Sequence, residues 1–174
     1  GKVLMRRSCN IDLTETAGSL HDKLATLNAG TLDEVIKNIN ILLKKAETQD
    51  DSQAIYASKI TSQEAKIDWT CDTASLDCHI RAFMPSPGAW CIGQKGRLRI
   101  LQARPTDIAR PVHAPAGSIV SISKDAMHVA TGNGVLAIEY LQPAGRKPMH
   151  VSDFLNGQNL VNGQMLAATT ARTK

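Results

Sequence analysis

The chain has 174 residues, 43% hydrophobic and 21% charged, which gives room for one sizeable domain or one domain and part of another. No run of about 18 apolar residues is present, so a membrane-spanning helix is not expected. The opening "GKVLMRRSCN" lacks the apolar centre of a signal peptide, and a cytoplasmic location is the expectation. Net charge is +4, unevenly placed: residues 1–80 hold 9 basic against 12 acidic side chains, a balance of −3, and residues 81–174 hold 11 against 4, a balance of +7. A basic half so poor in acids points to an anionic partner, nucleic acid first, against the plainer reading of a solvated basic surface.

In chain order, "KVLMRRSC" (residues 2–9) predicts a strand. "GSLHDKLATLNAG" then predicts a helix, with Leu20, Leu24 and Leu27 on one face, stopped by Asn28-Ala29-Gly30. Thr31 and Glu34 form a capping-box pattern that predicts a new helix, whose stripe of Leu32, Val35, Ile36, Ile39 and Leu43 is expected to pack in a core. "AETQDDSQA" reads as an exposed linker. A second capping box, Thr61 to Glu64, predicts a short helix ending near Trp69. "DTASLDCHIRAF" predicts a helix with Leu76, Ile80 and Phe83 on one side, stopped by Met84-Pro85-Ser86-Pro87-Gly88.

After Trp90 the pattern changes to short strands in "RLRILQAR", "GSIVSIS", "MHVATG" and "VLAIEYLQ". Turns are expected at Lys124-Asp125 and Gly132-Asn133-Gly134. Several such strands in sequence predict a small OB-like barrel with a helical preface. Residues 1–45, one strand and two helices, cannot enclose a core alone and read as the end of an α/β domain. The expected division is a Rossmann-like remnant at 1–45, a linker at 46–66, an OB-like domain at 67–163 and a tail at 164–174, giving a mixed α+β chain. The orphan strand is expected to offer an edge for non-native self-association.

Catalytic and cofactor motifs are absent from the sequence. There is no phosphate-binding glycine loop, and "GNG" reads as a hairpin turn. Cys9, Cys71, Cys78 and Cys91 lack metal-site spacing and are expected to be free thiols, with no metal bound. His21, His79, His113, His128 and His150 have no evident partner. What remains is basic: Arg97, Arg99, Arg104 and Arg110 along one strand and its loop, and Arg146-Lys147 in "PAGRKPM". Arg97 and Arg99 share a face if the strand alternates. Such groups suit phosphate contacts on a structured RNA, with little aromatic surface nearby for stacking.

The segments "SKITSQEAKIDW", "IRAFMPSPGAW" and "LQPAGRKPM", in this order, resemble the C-terminal half of the methionyl-tRNA formyltransferase family. "SLHDKLATLNAGTL" is similar to the closing helices of that family's formyltransferase domain. The resemblance runs from residue 1 to about residue 157. Leu141–Gly145 with Lys147 and Met149 is its most specific piece. The resemblance implies a Rossmann-like N-terminal domain that transfers a formyl group from 10-formyltetrahydrofolate to the amino group of methionyl initiator tRNA. It also implies a basic OB-like C-terminal domain that holds the tRNA in translation initiation.

The family's catalytic Asn-x-His and Asp, and its folate loop, have no counterpart here, so the chain alone is expected to be inactive and to bind no folate; the N-terminal catalytic domain is an expected partner. Where the family commonly has Asn-Pro-Trp-Pro, this chain has Met84-Pro85-Ser86-Pro87. The tRNA-contact residues this suggests are Lys59, Arg81, Lys95, Arg97, Arg99, Arg146 and Lys147. For Arg81 a pairing with Asp77 one helical turn earlier is the alternative. Alternatives for the whole are a folate-dependent formyltransferase acting on a sugar nucleotide and a non-catalytic OB-like RNA-binding module.

Overall fold

A computed structural model describes residues 1–156 and 158–166. The chain divides into two compact units, Gly1–Ile60 and the remainder from Thr61.

The first unit is built on one long helix, α1 (Ala17–Lys37), followed by the short α2 (Ile39–Lys44). The predicted stop at Gly30 is not observed. Gly30 is exposed with open space around it, and one glycine costs a helix only about 1 kcal/mol, less than the turns on either side contribute together. Thr31 therefore lies inside the helix, where its hydroxyl donates to the Leu27 carbonyl at 2.7 Å. The true cap is Thr16, whose Oγ1 accepts from Ser19 N at 3.1 Å while Thr16 N donates to Ser19 Oγ at 3.0 Å. Serine in place of Glu or Gln three residues on hid this box from the sequence pattern.

The predicted strand at 2–9 is also absent. Only Val3 pairs, antiparallel with Glu47, through N–H···O bonds of 2.9 and 3.0 Å. A strand requires a ladder beside it, and none runs along this segment. Exposed ion pairs, Arg6 with Glu47 and Arg7 with Glu34, tie it to its surroundings. The stripe expected to form a core does not: Leu32, Ile36 and Leu43 are 59%, 63% and 57% exposed, because this unit has no second layer to cover the helix face.

The second unit opens with a single turn at Thr61–Ala65 in place of the predicted helix. The capping contacts are present, with Glu64 N donating to Thr61 Oγ1 at 3.3 Å, but no further turn follows. Helix α3 (Thr73–Ala82) forms as predicted, capped by Asp72, with Leu76 and Ile80 buried. The corner after it closes by a bond from Gly88 N to the Phe83 carbonyl, at 2.9 Å; its Met84–Pro85 and Ser86–Pro87 peptide bonds are cis.

Six strands follow: β1 (Trp90–Gly93), β2 (Gly96–Pro105), β3 (Ile119–Ile122), β4 (Met127–Ala130), β5 (Val135–Pro143) and β6 (Met149–His150), then α4 (Val151–Leu155). All pair antiparallel in one sheet of order β1-β2-β5-β4-β3, with β6 on the edge of β5. The OB-like barrel expected takes the form of a curled half-barrel: among the described residues β1 and β3 do not pair with each other. β1 is bordered instead by the 65–67 segment, through Ile67 N to Trp90 O at 2.8 Å and Trp90 N to Ala65 O at 2.9 Å. β3 is bordered by residues 163–166, with Ile119 N donating to Gln164 O at 2.8 Å.

One face of the sheet packs on α3 and α4 through Ile67, Ile80, Leu98, Ile100, Leu136, Ile138, Leu141 and Val151, all nearly free of solvent contact. Each such side chain contributes about 1.5–3 kcal/mol of burial, which is what holds the unit together. The turn Gly132–Gly134 does more than join β4 to β5. Asn133 Oδ1 accepts from Thr73 N at 3.0 Å, and Gly132 N donates to Cys71 O at 2.8 Å, so the hairpin clasps the start of α3.

Candidate functional site

The opposite face of the β1–β2–β5 portion carries the basic residues. Leu98 and Ile100 point into the core, so alternation sends Arg97 and Arg99 outwards together, as the sequence predicts. Register places Arg97 opposite Ile92, and Arg99 between Trp90 on β1 and Gln142 on β5.

Arg97 lies over the Trp90 ring, 4.2 Å from its centroid, and donates to Ser62 Oγ at 2.8 Å. Partial burial, and then the like charge of Arg99, hold its guanidinium below the usual range. Arg99 donates to Gln142 Oε1 at 2.6 Å and to the Pro85 carbonyl at 2.7 Å. Gly88 makes room for it: a Cβ there, at φ +80°, would come within 2.5 Å of the guanidinium. Arg99 thus braces the proline corner from the sheet side. Gln142 in turn donates to the Arg146 carbonyl at 2.8 Å, linking Arg99 to the next turn.

Two turns display the remaining cations. Gln94-Lys95 forms the tip between β1 and β2. Between β5 and β6, Pro143-Ala144-Gly145-Arg146 is a tight turn closed by Arg146 N to Pro143 O at 3.1 Å, with Gly145 at φ +71° as this turn type demands. It leaves Arg146 and Lys147 exposed. Lys95, Arg97 and Arg146 line one depression at the end of the sheet, together with Leu98, Phe154 and Leu160 of the core side.

The other predicted residues lie elsewhere. Arg81, in the last turn of α3, pairs with Asp77 at 2.9 Å, the alternative given by its spacing, and donates to Cys78 Sγ at 3.3 Å. Lys59 is exposed in the irregular stretch closing the first unit. Two further arginines of the basic stretch serve the fold. Arg104 pairs with Glu139 at 2.6 Å, and Arg110 donates to the carbonyls of Ala114, Thr131 and Gly132 at 2.8–2.9 Å. Sequence reasoning missed Gln142 as the link between Arg99 and the Arg146 turn, and Trp90 as the seat of Arg97. Register reveals the first, and the second is a diagonal contact from β2 to β1 that only the folded strands show.

Among the described residues, no three His, Cys, Asp or Glu side chains are grouped to hold a metal ion. No helix there is long and apolar enough to cross a membrane.

In solved structures, this fold is similar to HypX from Aquifex aeolicus. One HypX variant aligns at 17% identity and a TM-score of 0.66, covering 91% of this chain and 28% of HypX. A second variant gives the same identity and TM-score over 90% of this chain and 28% of HypX. HypX in complex with tetrahydrofolic acid aligns over 70% of this chain and 22% of that one, at 16% identity and a TM-score of 0.51. The chain therefore spans little more than a quarter of the length of that relative. Residues 59–159 match the formyl transferase C-terminal domain family. They include α3, the corner and all six strands, and so this chain belongs to the formyl transferase C-terminal domain family.

Proposed function

We propose that this chain is the acceptor-holding C-terminal part of a folate-dependent formyltransferase, with methionyl initiator tRNA as acceptor and 10-formyltetrahydrofolate as formyl donor of the intact enzyme. In this reading the first unit is the end of a Rossmann-like formyltransferase domain. The chain's own residues grip RNA, and residues outside it carry formyl transfer.

One observation carries the reading: the β5–β6 turn brings Arg146 to the same depression as Lys95 and Arg97, which lie far earlier in the sequence, with Lys147 exposed next to Arg146. Cations at this density suit a row of phosphates. Like charges held this close repel one another, and an anion bound among them relieves that repulsion. Arg97, seated on Trp90, supplies a fixed charge, whereas Arg146 and Lys147 on the turn supply adaptable ones.

Phosphate contacts release counterions, so the logarithm of affinity falls with the logarithm of salt by roughly 0.9 per contact. Binding of the chain to methionyl initiator tRNA over a salt series is the test. A steep slope, reduced by about 1–2 in the Arg146→Ala/Lys147→Ala double variant, supports the reading. Absence of binding at low salt, or a slope the double variant leaves unchanged, overturns it. Affinity for a sugar nucleotide in place of RNA would transfer the reading to that acceptor.

A further inference from the structure

We propose that Tyr140, braced by His150, is a stacking step for one unpaired base of the bound RNA. This rests on the RNA reading above and extends it from backbone grip to base contact.

The argument begins with strand register. β5 is regular from Tyr140 to Pro143: of the two irregularities in its pairing with β2, one is taken up on β2 between Ile100 and Gln102, and the other falls on β5 at Glu139, just before Tyr140. Leu141 is buried, so Tyr140 and Gln142 stand together on the outer face. Across the sheet, Gln142 is opposite Arg99, and Tyr140 is opposite His150. Two rows result: Trp90–Arg99–Gln142, and beside it Tyr140–His150. They are separated by two residues of strand, about 7 Å, which is roughly twice the 3.4 Å rise between stacked nucleotides. A base on Tyr140 then lies beside the row that leads through Gln142 to the Arg146 turn.

Of the two aromatic residues on this face, only Tyr140 has its ring available. Trp90 is covered by the Arg97 guanidinium. Tyr140 is 38% exposed. The His150 ring meets it edge-on, with centroids 6.3 Å apart and planes at 68°. His150 is itself anchored: its Nδ1 accepts from Ser152 N at 3.3 Å as the cap of α4 and lies 3.0 Å from Ser152 Oγ. Tyr140 is thus flanked by a ring tied to the start of α4.

Charge selects the occupant. The nearest carboxylate on β5, Glu139, is closed off by Arg104 at 2.6 Å and Gln102 at 3.0 Å. Arg99 is tied through Gln142 to the turn bearing Arg146 and Lys147. An open ring beside positive charge fits a base attached to phosphate, and fits poorly an apolar or basic peptide. Stacking of this kind accepts any base, since each presents a π-face.

The experiment compares the whole chain with its Tyr140→Leu and Tyr140→Phe variants. The probes are fluorescent oligoadenylate and an abasic ribose-phosphate strand of equal length, each over a salt series. The expected result is a loss of about tenfold for oligoadenylate in Tyr140→Leu, with the salt slope unchanged. Tyr140→Phe retains affinity, and the abasic strand does not distinguish the three proteins. Equal oligoadenylate affinity in Tyr140→Leu overturns the proposal, as does an equal loss for the abasic strand. If the wild-type chain binds both probes alike with a steep salt slope, the stacking step falls and the phosphate-grip reading stands. If it binds neither probe, the stacking step falls, and the phosphate-grip reading falls with it only where methionyl initiator tRNA is not bound at low salt either.

Discussion

Gly132 is the point at which the smallest change should do the most damage. A methyl group there would sit 2.1 Å from the Thr70 carbonyl oxygen and 2.9 Å from that of Cys71. Ordinary contact begins at 3.4 Å, so the turn or the carbonyl must yield by about 1.3 Å, the gap between 2.1 and 3.4 Å. Both are backbone, and neither has a rotamer to change. The displacement breaks the bond from Gly132 N to Cys71 O and draws Asn133 away from Thr73 N, where it serves the first turn of α3. One or two lost hydrogen bonds, plus a desolvated group left without a partner, amount to about 2–4 kcal/mol for Gly132→Ala. For a unit of this size that lowers the melting temperature by roughly 10–25 °C. Both tryptophans of the chain, Trp69 and Trp90, lie in this unit, so tryptophan fluorescence in a urea titration reports it directly. Gly134→Ala is the control, because its added methyl meets chiefly the Thr73 hydroxyl, at 2.8 Å, a side-chain atom that can turn. A Gly132→Ala urea midpoint equal to that of the wild type would refute the argument that the turn and α3 are locked at this contact.

Two further outcomes follow from local environment. Gly30→Ala should raise the stability of the first unit by about 0.8–1 kcal/mol, since the position is helical, exposed and open; amide hydrogen exchange along α1 measures it, and faster exchange in the variant would contradict it. Cys91 is fully buried, and burial pushes its thiol up to about 12. At neutral pH it is protonated and sealed, so a thiol reagent should label exposed Cys71 and Cys78 at once and Cys91 only after unfolding. Prompt labelling of Cys91 in the native chain would place it at the surface.

The parts of the fold that the sequence made legible are those decided locally. α3 was visible because Leu76 and Ile80 recur at helical spacing and two prolines follow it. The β4–β5 turn was visible in its glycines. α1 misled because Gly30 weakens a helix without having to end one, and the strand expected at 2–9 failed because a strand depends on its neighbour as much as on its own residues. The helix stripe failed as a core for a similar reason. Apolar spacing says which face is ready to be buried, but the cover comes from elsewhere in the chain or from outside it.

The site divides the same way. Alternation puts Arg97 and Arg99 on one face, and a spacing of four puts Arg81 within reach of Asp77. The link from Arg99 through Gln142 to Arg146 depends on the pairing of β2 with β5, distant in sequence, and no local pattern reveals it. The same is true of Tyr140 beside His150, which depends on a two-residue strand.

The cations around the depression come from the β1–β2 turn and from the β5–β6 turn, and they are brought together only when β2 pairs with β5. An unfolded chain presents the same charges but strings them out, and holds a phosphate row far less well. By mass action, any polyanion that prefers the assembled cluster must shift the folding equilibrium towards the native state, by about 2.7 kcal/mol when present at a hundred times its dissociation constant. The cluster is therefore its own reporter: a rise in melting temperature with added ligand measures occupancy without any label. The register between two strands of the sheet becomes a quantity that the ligand itself helps to hold.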